Sequence, residues 1–89
     1  MPVRRRVIVH GHVQGVGFRA AVARAARSRG IAGWGGNRPD GAVEAVFEGD
    51  AAAVDQLVDF SRRGPSRAEV DSVDVTEEKP EGLSGFQVR

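Results

Sequence analysis

The spacing of apolar residues changes abruptly at a glycine-rich stretch near the start of the chain, HGHVQGVGFRA. Residues 4–13, which run into the start of this stretch, place Val7, Val9 and Val13 at even spacings that predict a strand. From Phe18 onward, apolar residues recur every three or four positions and predict an amphipathic helix that ends at Gly30. A strand must therefore pass directly into a helix through a short loop that contains Gly15 and Gly17.

The rest of the chain repeats this order of elements. Residues 31–37 and 42–48 flank the turn sequence RPDG and predict a β-hairpin. Asp50 is a good N-cap for a second helix, and residues 69–77 predict another strand. The final residues, GFQVR, predict a short last strand.

Alternation along these strands predicts which side chains face the core. We expect Glu44 and Glu48 to point outward. The side chains expected to point inward are Val43, Ala45, Phe47, Phe86 and Val88. The three consecutive arginines Arg4–Arg6 are expected to flank a strand edge, with contact to a polyanion as the alternative.

The predicted order is β-α-β-β-α-β, followed by a short strand. Right-handed crossovers place both helices on the same side of the sheet. The sequence therefore predicts the α+β class: a ferredoxin-like split β-α-β sandwich (βαββαβ), whose antiparallel sheet carries two helices on one face. A length of 89 residues is enough for a single domain, residues 1–89, with one apolar core.

Composition excludes several kinds of site and partner. The chain has no cysteine, so disulfides, thiolate metal sites and thiol nucleophiles are ruled out. No apolar run approaches a membrane span, and the basic start lacks the features of a signal peptide, so we expect a cytoplasmic protein with no membrane partner. The net charge is only +1, which argues against a nucleic-acid partner. Small size and balanced charge favour a monomer.

The charge is distributed unevenly between the two halves of the chain. Residues 1–45 contain eight arginines and two acidic residues, a net charge of +6. Residues 46–89 contain five basic and ten acidic residues, a net charge of −5. The first half would suit an anion, and the alternative is that the two halves neutralise each other in the folded protein.

The loop between the first strand and the first helix has the features of an anion site. Backbone N–H groups at a helix N-terminus point in one direction, at the positive end of the helix dipole. Gly15 and Gly17 allow backbone conformations closed to other residues, and Arg19 can offer two parallel donors to phosphate oxygens. The loop predicts a phosphate site, and a tight turn beside a solvated Arg19 is the alternative.

Other phosphate-binding patterns fit less well. GVGFRA satisfies the dinucleotide fingerprint G-x-G-x-x-A, but its acidic partner would be Asp40, which lies in a predicted hairpin turn. The chain is also too short for a dinucleotide-binding fold. The Walker A pattern is absent because no Gly-Lys-Ser/Thr occurs.

Two longer stretches resemble the signatures of a known family. GHVQGVGFR, residues 11–19, resembles the first signature of the acylphosphatase family, G-x-V-Q-G-V-x-F-R. GWGGNRPDGAVEAVFEG, residues 33–49, resembles the second, and both GPSRAEVDSV from Gly64 and the final GFQVR are similar to the family as well. The resemblance spans nearly the whole chain, and two long signatures at the right separation are specific.

The resemblance implies an enzyme that hydrolyses the carboxyl–phosphate anhydride bond of an acyl phosphate, with carboxylate and inorganic phosphate as products. In the family, the loop amides and an arginine bind the phosphoryl group, and an asparagine orients the attacking water. By position, the catalytic residues are Arg19 and Asn37. The phosphate-binding residues are Gln14, Gly15, Val16, Gly17, Phe18 and Arg19. No metal or other cofactor is expected, because phosphoryl transfer to water from a weakly basic leaving group needs mainly positioning and charge stabilisation.

Four other residues could take part in chemistry or simply support the fold. His10 and His12 could form a metal site or supply a general base, but the prediction is that they lie on the open face of the sheet. Phe18 and Trp34 are expected to pack within the protein rather than to form a platform for substrate.

The strand that leads to Asn37 departs from the family pattern. Gly35 and Gly36 stand where family members usually have a small apolar residue and then a basic or polar one. We therefore expect a looser segment before Asn37.

Two further functions are alternatives to hydrolysis by a stand-alone enzyme. The same kind of domain begins the hydrogenase-maturation proteins, where it handles carbamoyl phosphate, but those proteins continue into zinc-finger and other domains, whereas this chain stops at Arg89. An RNA-recognition module would carry aromatic residues on its central strands, and this chain has no tyrosine and few suitably placed phenylalanines.

Overall fold

Seven elements follow one another along the chain in the predicted order. A computed structural model describes residues 1–89. The strands and helices are β1 (Pro2–His12), α1 (Phe18–Ser28), β2 (Ala32–Asn37), β3 (Val43–Asp50), α2 (Ala51–Arg63), β4 (Glu69–Glu78) and β5 (Phe86–Val88). Neither helix has the length and apolar character needed to cross a membrane.

The five strands form one sheet in the order β4-β1-β3-β2-β5. The four longer strands pair with one another in antiparallel fashion, which confirms the ferredoxin-like arrangement. The short β5 pairs in parallel with β2, so the complete sheet is mixed and not wholly antiparallel. Because β4 and β5 lie at opposite edges, residues 79–85 have to cross the sheet between them.

Both helices cover the same face of the sheet, as predicted from right-handed crossovers. Alternate strand residues and the apolar stripes of α1 and α2 belong to one buried cluster, whose members include Val7, Val9, Val22, Ala26, Val43, Ala45, Phe47, Val54, Leu57 and Phe86. Burial of each large side chain contributes roughly 1.5–3 kcal/mol. We call the opposite side of the sheet, which the helices leave uncovered, the outer face.

The helix ends follow the signals seen in the sequence. Asp50 caps α2, since its Oδ2 accepts a hydrogen bond from the Ala53 N–H at 3.3 Å. α1 ends just before Gly30, whose φ of +66° lies in the left-handed region, and the Ile31 N–H then donates to the Ala26 carbonyl oxygen at 2.9 Å. The cap at Asp50 thus joins β3 directly to α2, and the turn at Gly30 leads from α1 into β2.

Arg4–Arg6 do not flank a sheet edge, because β1 is an interior strand between β4 and β3. Arg4 is only 3% exposed and forms salt bridges with Glu48 and Glu78. Arg6 shares Glu78 at 2.8 Å, and Arg5 pairs with acidic side chains of α2 and β4. These pairs confirm that the two halves of the chain neutralise each other here, and they leave the three arginines engaged rather than free for a polyanion.

Glu48 lies on the outer face as predicted but does not reach solvent, since only 5% of the residue is exposed. Its carboxylate accepts hydrogen bonds from the N–H groups of Glu81, Gly82 and Leu83 and from the Arg4 guanidinium. Burial alone raises the pKa of Glu48, but these donors outweigh it and the pKa is lowered. Glu48 thus anchors residues 79–85 where they cross the outer face.

The last strand follows the predicted alternation, but only one of its two inward residues is buried. Phe86 is buried and stacks against Phe47, with ring centroids 6.0 Å apart. Val88 was expected to point inward, but it is 47% exposed. Its pairing with Gly35 places Val88 on the same face as Phe86, as predicted, but it lies at the end of an edge strand and outside the buried cluster, so this face is not covered there.

Candidate active site

The loop between β1 and α1 depends on two glycines with left-handed backbone conformations. The φ angles of Gly15 and Gly17 are +75° and +79°. A Cβ atom added at either position would meet no protein atom within 4 Å, so glycine is needed for its backbone conformation and not to avoid a clash. Gly17 is the N-cap of α1, and no side chain caps this helix.

The backbone N–H groups of this loop have no acceptors within the protein. From Gln14 to Ala20, none donates a hydrogen bond to a backbone carbonyl or to a side chain, and the first donor is the Ala21 N–H, to the Gly17 carbonyl oxygen at 3.0 Å. The first turn of α1 also contains no acidic residue. Converging N–H groups at a helix N-terminus attract anions.

A cavity of about 140 Å³ opens beside this loop. It brings the loop and the first turn of α1 together with the end of β2, and its lining residues are Val13, Gly15, Gly17, Phe18, Arg19, Ala20 and Asn37. No acidic side chain lines it. Arg19 and Asn37, predicted from separate signatures, therefore share one cavity.

Arg19 reaches this cavity from the first turn of α1. Its Nη1 donates to the main-chain oxygen of Arg89, the last residue of the sequence, at 2.7 Å, and no Asp or Glu side chain pairs with it. A guanidinium has five N–H donors, so most of its donors stay available to a ligand. Arg89 was not among the predicted site residues, since a backbone carbonyl has no side-chain signature in a sequence.

Asn37 is the last residue of β2, and it is exposed where the strand reaches the cavity. Its backbone pairs with Val43 of β3. The amide side chain carries one acceptor oxygen and two N–H donors, and it has no charge at neutral pH. It can orient a small polar molecule without acting as an acid or a base.

Three of the predicted phosphate-binding residues take different positions from the others. Phe18 is one of the residues that border the cavity. The residue is only 2% exposed, however, and its side chain belongs to the buried cluster, as expected of a packing residue. Val16 is half-buried against the same cluster and does not line the cavity. Gln14 does not line it either, and its side chain contacts the β2–β3 hairpin.

The glycines that precede Asn37 lie in a strand paired along both sides. Gly35 is opposite Ala45 of β3 and Val88 of β5, and its carbonyl oxygen accepts the Arg89 N–H at 2.7 Å. Both Gly35 and Gly36 are buried. The two glycines thus lie in a regularly paired, buried strand, and a looser segment before Asn37 stays a prediction.

Trp34 and the two histidines lie away from the cavity. Trp34 is half-buried on the outer face, with the guanidinium carbons of Arg6 and Arg89 5.6 and 4.4 Å from its ring centroid. His10 contacts Asp74 on the outer face, with 3.0 Å between Nε2 and Oδ2, and His12 is exposed at the end of β1. No three His, Asp or Glu side chains come together as metal ligands would.

Fold and cavity together define the class of this protein: a small ferredoxin-like α+β protein with an anion-type cavity at the N-terminus of its first helix. Comparison with known proteins then identifies one family within this class. The sequence model of the family described as Acylphosphatase matches residues 5–88. The chain belongs to the acylphosphatase family, as its two signatures predicted.

Individual relatives agree with this assignment. A curated acylphosphatase of Gloeobacter violaceus is 56% identical over 86 residues, which cover 97% of this chain and 92% of the relative. The crystal structure of acylphosphatase from Bacillus subtilis matches with a TM-score of 0.94 at 40% identity and covers 98% of both chains. HypF of Thermococcus kodakarensis matches with a TM-score of 0.79 at 30% identity, but over only 12% of its length. Family membership makes this chain a hydrolase of acyl phosphates.

Proposed function

We propose that the chain binds the phosphoryl group of an acyl phosphate in the Gln14–Arg19 loop and that Asn37 orients the water that attacks it. One observation supports this proposal above others: the N–H groups from Gln14 to Ala20 have no acceptors in the protein and lie beside the cavity that Arg19 and Asn37 line. Such an arrangement stabilises negative charge without reorganising during the reaction.

The phosphate site would combine two kinds of donor. Loop amides from Gln14 to Phe18 would contact phosphoryl oxygens, and the fork of Arg19 would bind two of them at once. The hydrogen bond from Arg19 to the main-chain oxygen of Arg89 would restrain the guanidinium before substrate arrives. Charge that develops on the phosphoryl oxygens in the transition state would then meet donors already in place.

Asn37 would act on the water rather than on the phosphate. Its side-chain oxygen can accept a hydrogen bond from a water and hold it in line with the acyl C–O–P bond. The water oxygen forms the new P–O bond, the P–O bond to the acyl group breaks with its electron pair on the carboxylate, and the water proton passes to solvent. A carboxylate is a good leaving group, so no general acid is required.

The most direct test is the release of phosphate from benzoyl phosphate by the purified protein in the presence of EDTA. We expect metal-independent turnover by the wild type. Arg19→Ala should lower kcat/KM by about 1,000-fold and weaken binding of inorganic phosphate. Asn37→Ala should lower kcat by about 100-fold or more while phosphate affinity stays within about twofold.

Arg24→Ala provides the matched control for Arg19→Ala. Arg24 lies on the same helix, is exposed, and does not line the cavity. Its removal should leave kcat and KM unchanged. Equal losses in Arg24→Ala and Arg19→Ala, or an unchanged rate in Asn37→Ala, would contradict the proposed roles. The proposal also takes the active form to be a monomer in the cytoplasm, and size-exclusion chromatography with light scattering tests the oligomeric state.

A further inference from the structure

We infer that Gln14 is a positioning residue, which holds Asn37 in place relative to the phosphate-binding loop; this inference rests on the proposed function. The Gln14 Nε2 donates to the carbonyl oxygen of Arg38 at 2.8 Å and to that of Ala42 at 2.9 Å. Carbonyl oxygens only accept hydrogen bonds, so the orientation of the Gln14 amide is determined by its two partners.

The two acceptors are the carbonyls that close the β2–β3 hairpin. The Arg38 N–H donates to the Ala42 oxygen at 2.8 Å, and the Gly41 N–H donates to the Arg38 oxygen at 3.1 Å. Within the turn, Asp40 accepts from the Ala42 N–H at 3.0 Å. The backbone hydrogen bonds of the hairpin therefore already close this turn. The Gln14 side chain adds two hydrogen bonds that tie the turn to the loop.

This tie connects two parts of the cavity that are otherwise separate in the chain. The loop and α1 supply the phosphate-binding side, whereas Asn37 comes from the end of β2, directly before Arg38. No other side-chain hydrogen bond joins the loop to the hairpin. Because in-line attack requires the water and the phosphoryl group to be aligned, a misplacement of about 1 Å between these two parts can cost about 100-fold in rate.

The contacts of Gln14 argue against a direct role of its side chain in binding phosphate. Both hydrogens of Nε2 are used by the two carbonyls. The remaining polar atom, Oε1, can only accept a hydrogen bond and would repel a phosphoryl oxygen. In phosphate binding, Gln14 can contribute its backbone N–H, while its side chain fixes the geometry between loop and hairpin.

The test compares Gln14→Met with the wild type, since Met keeps the length of the side chain but removes both donors. We expect kcat for benzoyl phosphate to fall by about tenfold to 100-fold, while the affinity for inorganic phosphate, measured by calorimetry, stays within about twofold. Amide hydrogen exchange of Arg38 and Gly41 should accelerate by about tenfold, because the hairpin loses an external restraint. Gln56→Met is the matched control: Gln56 is exposed on α2, bonds to Arg29, and should change none of these values.

Each outcome separates a positioning role from its rivals. Parallel losses of kcat and phosphate affinity would mean that the Gln14 side chain binds phosphate itself, and an unchanged kcat would show that the tie is dispensable; either result overturns the inference. If Gln14→Met unfolds more easily, the measurements are made at a temperature where it is folded. The proposed function fails separately, through a wild type that releases no phosphate from benzoyl phosphate. In that case unchanged exchange at Arg38 and Gly41 would still overturn the inference, and faster exchange would support it.

Discussion

Arginines at two places in this molecule have opposite surroundings. Arg4 is buried on the outer face, where Glu48 and Glu78 surround its guanidinium. Arg19 lies at the mouth of a cavity that no acidic side chain lines, and it donates to the main-chain oxygen of Arg89. Acidic side chains neutralise the charge of the first arginine within the fold, whereas no acidic side chain pairs with the second, which we propose binds an anionic substrate.

The difference shows that the number of arginines in a segment does not indicate what they bind. The consecutive Arg4–Arg6 look more like a polyanion site in the sequence than the isolated Arg19 does. In the fold, neighbouring strands supply carboxylates to all three of them. Replacing residues at the two places should therefore affect different properties: stability at the outer face, and catalysis at the cavity.

The largest change in stability is expected for Glu48→Ala. This substitution leaves the Arg4 guanidinium buried with one partner fewer, and it removes the acceptor for the N–H groups of residues 81–83. Loss of one member of a buried ion pair costs about 3 kcal/mol, which urea unfolding should detect as a lower free energy of unfolding. The activity of the folded fraction should fall by less than about threefold.

Glu44→Ala is the control for this prediction. Glu44 lies on the same strand and also pairs with an arginine of β1, Arg6, but it is half-buried, and it accepts no hydrogen bond from residues 79–85. Its loss should cost less than about 1 kcal/mol. Equal destabilisation by the two variants would contradict the anchoring role of Glu48.

A smaller effect is expected from pH. Hydrogen bonds from Arg6 and then from Arg4 lower the pKa of Glu78 from an ordinary 4.5 to about 2. A carboxyl group with a lowered pKa in the folded state stabilises the protein above its unfolded-state pKa, and this contribution is lost as the pH falls from about 4.5 to about 2. Thermal unfolding should show a steeper loss of stability across this range in the wild type than in Glu78→Gln.

Asp74→Gln is a suitable comparison for the pH experiment. Asp74 is exposed and contacts His10 rather than an arginine. Its replacement should leave the slope of stability against pH close to that of the wild type. If Glu78→Gln loses stability with falling pH as steeply as the wild type does, other carboxyl groups produce the pH dependence.

The smallest effect is expected for Gly36→Lys, on the strand that leads to the cavity. A Cβ atom at Gly36 would meet the Arg89 Cβ at 3.5 Å, an ordinary contact, and the φ angle of Gly36 is not in the left-handed region. The substitution should raise the free energy of unfolding by about 0.5 kcal/mol, because glycine loses more conformational freedom on folding. Gly33→Ala should instead destabilise the protein, since its Cβ would lie 1.8 Å from the Val46 carbonyl oxygen. If Gly36→Lys and the wild type have equal stability and turnover, then Gly36 does not weaken the strand that leads to Asn37.

Local patterns were enough to predict most of the fold. The alternation in β1 and β3, the cap at Asp50 and the glycine-rich loop each depend on neighbours in the chain, so the sequence reveals them directly. The crossing of residues 79–85 was not predictable in this way, because KPEGLSG has no apolar periodicity. The burial of Glu48 follows from that crossing, and for this reason alternation alone misjudged its exposure.

The candidate site was predicted to a similar extent. Signatures identified Arg19 and Asn37, and the structure places both at one cavity. The tie from Gln14 to the hairpin joins side-chain and backbone atoms that are distant in the chain, and the Arg89 carbonyl acts through the main chain alone. Contacts of these two kinds depend on tertiary structure and have no periodic signal.

The contrast between the two places can be measured directly by titrating the ¹⁵N-labelled wild type with inorganic phosphate and following its amide and arginine Nε signals by NMR. The account predicts saturable shifts at the amides of Gly15, Val16 and Gly17 and at the Nε of Arg19, with no shift at the Nε of Arg4 or Arg6. Shifts at Arg4 and Arg6, together with unchanged signals from the loop, would contradict it.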